Sequence, residues 1–293
     1  MKMLSKALCT LWLAPALALA QPTWQPSATA APDPVEVFRS TMTANLPTAT
    51  TLYRGDWLYE ISHRFHPPIG DGLTANFGLD GPASMRMAIG YGLSDHTMLT
   101  LGRSSVLDNL DFQLKRRLWS GSGGSMASAL AAQIGLAWNT DMSSIRPFAA
   151  RSFSDGANFQ YYAQLIYNAL LLDGRLAVGL VPSYLHNSAI FSVDTQYTLS
   201  LGTYAQIYFD DMWGVWLEYS PGLSGYQGIL QPGETGRSHN SLACGISIET
   251  GGHVFYFFAT NNTRLNTAQY AVGAAQSARL SQARLGFAIT RYL

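Results

Sequence analysis

The chain of 293 residues is poor in charge, with 18 Lys plus Arg and 18 Asp plus Glu, or 12% of its residues. Soluble domains usually carry roughly 25%, so this composition suits a surface that does not face water. The two signs cancel and no basic run stands out, which leaves no footprint for a nucleic-acid backbone. Cysteine is nearly absent. Cys9 lies in the N-terminal segment and only Cys244 follows it, so neither an intrachain disulfide nor a cysteine-based zinc site is available to a processed chain. Also lacking are a metal spacing such as H-E-x-x-H and a serine set in G-x-S-x-G. No metal or cofactor is expected.

A long apolar run is missing too. The opening "MKMLSKALCTLWLAPALALA" has Lys2 and Lys6, a short apolar stretch and Ala18-Leu19-Ala20 before Gln21. It reads as a secretory signal peptide over 1–20. Nothing later reaches the run of about 20 apolar residues that a spanning helix needs. If the chain crosses a membrane, it does so with strands.

Residues 21–34, "QPTWQPSATAAPDP", are rich in Pro, Ala and Ser and read as a flexible linker, with the folded domain expected over 35–293. The stretch from Val35 to Leu52 is ambiguous: a strand, or a segment tucked against or into the body of the fold.

From Asp56 onward the period is two. "DWLYEISHRF" places Trp57, Tyr59, Ile61, His63 and Phe65 on one face and Asp56, Leu58, Glu60, Ser62 and Arg64 on the other, which is mostly polar. The same split recurs in "SMRMAIGYGL" (84–93), "LDFQLKRRLW" (110–119) and on to "ARLGFAITRYL" (283–293). About twelve strands are expected, an even number near the length that a tilted membrane strand requires. They run over 56–66, 82–93, 96–104, 108–119, 126–138, 157–171, 174–185, 195–208, 212–221, 239–249, 253–260 and 283–293. Short connections, among them "SGSGGS" at 120–125 and Thr250-Gly251-Gly252, alternate with mostly long ones at 67–81, 139–156, 222–238 and 261–282. That is the pattern of periplasmic turns on one rim and extracellular loops on the other.

Alternation alone would also suit a soluble β-protein with an apolar inside. The second face decides, because it is built from Ala88, Gly90, Gly92, Ala131, Gly135, Ala177, Gly179, Gly202, Gly245 and Gly286 with sparse charges of both signs, as befits a confined lumen. Aromatics gather near strand ends, with Trp57, Tyr91, Trp119 and Trp213 toward the short turns and Phe65, Trp138, Tyr161 and Tyr197 toward the long loops. These read as interfacial girdles. The fold class is therefore all-β, an antiparallel transmembrane β-barrel in contact with outer-membrane lipid.

"ISHRF" (61–65), "FGLD" (77–80), "GYGLSD" (90–95), "LGRSS" (101–105) and "SIETGGHVF" (247–255), in this order, resemble an uncharacterised bacterial outer-membrane β-barrel family, a domain of unknown function. The likeness spans about residues 36–293. It implies an outer-membrane barrel, exported by its signal peptide, with no assigned activity. Two positions depart from the family: the chain ends on Leu293 where an aromatic is usual, and Phe258 stands where relatives carry a more polar residue, implying a narrower or drier lumen.

The candidate site is the inward polar set Glu60, Arg64, Arg86, Asp111, Lys115, Arg117, Glu218 and Glu249. One reading is a constriction that selects small polar solutes, with Arg86, Lys115 and Arg117 converging near Glu60 and Asp111. The other is an ion-pair network that closes the barrel, since a buried charge must be paired whether or not anything passes. At the periplasmic turn Gly251, Gly252 and His253 are singled out, with Glu249 as a hydrogen-bond partner for His253 and a structural role favoured over a proton-sensing gate. His63 suits an interfacial side chain better than the histidine of a lipid hydrolase, and no enzyme activity is expected. Two functions remain: a porin-like channel or transporter for small polar solutes, and a non-conducting scaffold or anchor for a periplasmic or surface partner.

Overall fold

The computed structural model describes residues 36–123, 126–192, 194–228 and 236–293. The segments expected as signal peptide and linker, 1–20 and 21–34, lie outside the described residues. The strands are β1 (Trp57–Phe65), β2 (Ala83–Ser94), β3 (Thr97–Ser104), β4 (Asn109–Gly123), β5 (Met126–Trp138), β6 (Phe159–Leu171) and β7 (Leu176–His186), followed by β8 (Tyr197–Tyr208), β9 (Trp213–Ser220), β10 (Gly222–Gly225), β11 (Ser241–Thr250), β12 (His253–Thr260) and β13 (Arg284–Tyr292).

Each strand pairs antiparallel with its neighbours, and β1 pairs with β13 from Leu58↔Tyr292 to Arg64↔Gly286, which closes the sheet. Closure removes the free edges that a membrane strand could not satisfy. The barrel has twelve staves rather than thirteen, because β9 and β10 both lie along β8 and form one stave broken at Pro221. Proline has no N–H to give the ladder, so the break falls there.

The period of two sets the two faces. Ile89, Leu101 and Ile134 on the outer wall are each more than half exposed, while their inward neighbours Ala88, Thr100 and Gln133 are buried. Outside, Trp57 lies against Tyr91 at 4.6 Å near the short-turn rim and Trp138 stacks on Phe159 at 5.4 Å near the long-loop rim. A bulge at Leu118 turns both Leu118 and Trp119 outward.

One expectation is corrected, and one left open is resolved in favour of a segment tucked into the fold. "SGSGGS" is not all turn: β4 continues to Gly123, with Ser120 opposite Ala129 and Gly121 opposite Ser128, because the partner strand supplies a ladder that overrides the low β-propensity of Gly and Ser. The stretch at 36–52 is not a strand. It is a hairpin inside the barrel, and most of its residues are buried.

Many inward glycines are explained by what fills the lumen. A Cβ on Gly135 would meet the Tyr162 ring at 2.1 Å, one on Gly92 the carbonyl oxygen of Tyr53 at 1.7 Å, and one on Gly202 the Leu46 side chain at 2.8 Å. The small residues make room for large inward side chains and for the hairpin.

Candidate functional site

The hairpin leaves the short-turn rim at Glu36, rises through the lumen, reverses at Ala44 and Asn45 and returns to the rim before β1. "TMTANLPTAT" (41–50) has no charge, and its alternation from Thr41 to Leu46 stops at Pro47, which has no N–H to give a ladder; its backbone closes on itself through Thr43 N–H to Leu46 O (2.9 Å) and Thr48 N–H to Thr41 O (3.1 Å). Its apolar side chains Val37, Phe38, Leu46 and Ala49 join Ala131, Ile166, Val181 and Tyr204 of the wall, and the Phe38 and Tyr204 rings meet edge-on at 5.1 Å.

Most of the remaining contacts are polar. Lys115 Nζ donates to the carbonyls of Thr41 (2.6 Å) and Thr48 (3.0 Å) across the hairpin neck. At the apex Arg64 donates to Ala44 O (3.1 Å) and Asn45 Oδ1 (2.7 Å), while Glu218 accepts from Asn45 N (3.1 Å) and Nδ2 (2.6 Å). Asn168 Oδ1 accepts from Ala49 N at 2.7 Å, and Tyr204 Oη donates to Pro47 O at 2.8 Å. At the rim Arg39 donates to Asp211 O (2.6 Å), reaches Glu249 at 3.4 Å and lies over the Tyr208 ring.

All eight inward charges are buried, but they form several groups rather than one. Arg86 lies between Glu60 (2.6 Å) and Asp111 (2.7 Å), passing over Gly102, where a Cβ would meet both the guanidinium and the Asp111 carboxylate. Lys115 turns to the hairpin instead. Arg117 donates to Asp95 O (2.8 Å) and contacts His96 at the rim. The expected convergence of Arg86, Lys115 and Arg117 is therefore not seen, because Lys115 finds its acceptors on the hairpin and Arg117 finds its own at Asp95 and His96 on the rim.

At the turn, Glu249 is opposite Val254 on the inward face and His253 opposite Thr250 on the outward face. Opposite parity keeps the two apart: Glu249 accepts from Gln206 (3.1 Å), and His253 Nε2 lies 2.7 Å from Arg291 Nη1. Gly251, Gly252 and His253 nevertheless border, with Glu36, Arg39, Asp56 and Glu249, an open cavity of about 280 Å³ between hairpin and rim. Burial raises the Asp56 carboxyl above its ordinary range, the Tyr53 N–H opposes that shift, and the charge of Asp95 adds to it.

The second half of the lumen is filled from the other rim. The connection 261–282 carries the short helix α1 (Thr267–Tyr270) inward, with Asn266 donating to Asn109 Oδ1 (2.5 Å), Gln269 to Val106 O (2.8 Å) and Asn262 to Ser241 Oγ (2.7 Å). Where Asn45 and Leu46 of the hairpin face Thr267 and Tyr270, the gap measures only about 10 Å³. From sequence the 36–52 stretch is open between a strand and a tucked segment, and 261–282 reads only as a long loop; the signal of both is an almost uncharged mixture of small, amide and hydroxyl residues.

His63 stacks on Phe287 at 5.0 Å on the outer wall. At the long-loop rim His66 Nε2 meets Ser84 Oγ at 2.6 Å, and among the described residues no carboxylate hydrogen-bonds that imidazole. The described residues also contain no group of three or more His, Cys, Asp or Glu side chains placed to hold a metal.

No curated protein sequence matches the chain significantly. Among solved structures it is similar to an outer membrane channel from Pseudomonas putida F1 (14% identity, 84% of this chain and 98% of that one, TM-score 0.47). It is also similar to the NanC porin (6%, 80% and 97%, TM-score 0.46) and to the translocator domain of the autotransporter NalP from Neisseria meningitidis (10%, 83% and 90%, TM-score 0.39). The family described as "Membrane bound beta barrel domain (DUF5777)" matches residues 38–293, and the chain belongs to it.

Proposed function

We propose that the protein is an outer-membrane channel for small polar solutes, exported by its signal peptide, and that the hairpin at 36–52 keeps it closed from the periplasmic side. The observation that carries this reading is the polarity of the contact between hairpin and wall. Lys115, Arg64, Glu218 and Asn168 hold the hairpin by hydrogen bonds. Water can replace each of these when the hairpin leaves. A permanently filled interior is at least as stable when lined by apolar residues, since burying ion pairs costs desolvation that their attraction only partly offsets. Charged side chains along a lumen that is at times wet recover their hydration whenever it opens, and they discriminate among what passes.

The second reading, a non-conducting barrel that anchors a periplasmic partner, is favoured by the insert at 261–282, which occupies the half of the lumen the hairpin does not. Its docking face would be the charged mouth around Arg39, Asp211 and Glu249.

Planar-bilayer recording of full-length refolded protein separates the two. The channel reading expects rare brief openings in the wild type and frequent ones in Ala49→Trp, whose indole has no room beside Ile166 and Tyr204. Silence in both proteins, with heat-modifiable migration showing an intact barrel, would favour the anchor.

A further inference from the structure

Arg64 and Glu218 are both fully buried, opposite in charge, and make no ion pair with each other. Each is instead bonded to Asn45. One Asn45 oxygen faces the cation at 2.7 Å, and two N–H donors of the same residue face the carboxylate at 3.1 and 2.6 Å. The Phe258 ring, 4.5 Å from the guanidinium carbon, braces Arg64 from one side. Lys115 adds a second cation that meets only carbonyl oxygens of the hairpin.

We propose that Arg64 and Glu218 form a lumenal binding site for small zwitterionic solutes of the amino-acid class, and that Asn45 occupies this site in the closed barrel. The inference rests on the channel reading and names the class of solute. A carboxylate takes the place of the Asn45 oxygen at Arg64, an ammonium takes the place of its N–H donors at Glu218, and full charges on the solute strengthen both contacts. Solute and hairpin compete for the same two side chains. An amino acid therefore favours the open state by binding it alone.

The test uses full-length protein and L-asparagine as probe, with glucose as a neutral solute of similar size. Labelled asparagine is expected to bind refolded Ala49→Trp, with glucose failing to compete, and to raise the open probability of the wild type. Glu218→Gln in the Ala49→Trp background keeps the shape of the side chain and removes its charge. It should weaken binding by about tenfold or more, the scale of one charge-assisted hydrogen bond. Arg64→Gln should do the same; if that protein does not fold, Glu218→Gln decides alone. Unchanged binding in Glu218→Gln, or equal competition by glucose, overturns the site. Current through Ala49→Trp with no asparagine binding also overturns it and leaves the channel reading standing. Asparagine binding without current in any variant supports the site and removes the channel.

Discussion

Lys115 Nζ lies 2.6 Å from the carbonyl oxygen of Thr41, and through Thr48 it also holds the returning arm of the hairpin. A single ammonium on β4 thus ties together two arms that share only a few backbone hydrogen bonds of their own. Lys115→Met keeps the length of the side chain and leaves two buried carbonyls without a donor, at a cost of about 2 kcal/mol or more to the inserted state. Limited proteolysis should cut the 36–52 segment in this variant at protease levels that leave the wild type intact. Equal resistance would show that the tie does not hold the hairpin.

Arg86 is flanked by two carboxylates in a buried setting. Arg86→Met leaves Glu60 and Asp111 facing each other unpaired and should destabilise the barrel by about 3–5 kcal/mol. Adding Glu60→Gln and Asp111→Asn should recover most of that loss. Urea unfolding followed by heat-modifiable migration reads both values.

The outer wall is tested at Ile89, which is half exposed at the middle of β2. Ile89→Arg should cost about 2–4 kcal/mol by exposing a charge to lipid. Arginine at the adjacent Gly90 would at first sight be milder because it faces the lumen, but a Cβ there meets Leu58 at 2.6 Å. Both substitutions are therefore expected to destabilise, Gly90→Arg through overpacking. The sharper contrast is Ile89→Leu, which should be close to neutral in the same unfolding assay.

Gly202 and Leu46 fit one against the other, and a Cβ on Gly202 would also come within 3.3 Å of Val181. Gly202→Val should push the hairpin out and raise the open probability while the strand ladder stays paired. Leu46→Ala combined with Gly202→Val should return the channel toward closure, with a coupling of roughly 0.5–3 kcal/mol in a double-mutant cycle. Strict additivity would mean that the two residues do not meet.

In the loop 139–156, the Ser143 and Ser144 hydroxyls and the Ser144 N–H donate to Asp141 and hold its carboxyl below the ordinary range. A carboxyl with a depressed folded pKa contributes its stabilisation above its unfolded pKa and loses it as pH falls through the depressed value. Hydrogen exchange of this loop should therefore stay slow into mildly acid solution and quicken only below the usual carboxylate range. In Asp141→Asn it should be fast at neutral pH.

The strands were legible because burial on one face writes itself as alternation. The expected strand 253–260 coincides with β12, and the expected 126–138 with β5. Parity also placed Arg64, Arg86 and Glu218 on the inner face. It could not reveal their partners, because Arg86 reaches Asp111 two strands away over Gly102, and Glu218 meets Asn45, which is 173 positions distant in sequence. From sequence the hairpin stays open between a strand and a tucked segment for a physical reason. Thr41 to Leu46 alternates polar and apolar as a strand would and Pro47 then shifts the period, so the pattern alone could not choose between the two.

Both arms of the hairpin return to the same rim, and the connection carrying α1 likewise begins and ends at the opposite one. Each insert is a bight, like a loop of rope pushed into a pipe, and among the described residues no insert runs through the barrel from one rim to the other. The described hairpin can therefore slide out or back without parting β1 from β13. Were the chain to enter at one rim and leave at the other, the closed sheet would trap it for the life of the fold. As built, assembly of the barrel and seating of the hairpin are separable events, so the wall can be completed before the hairpin is in place.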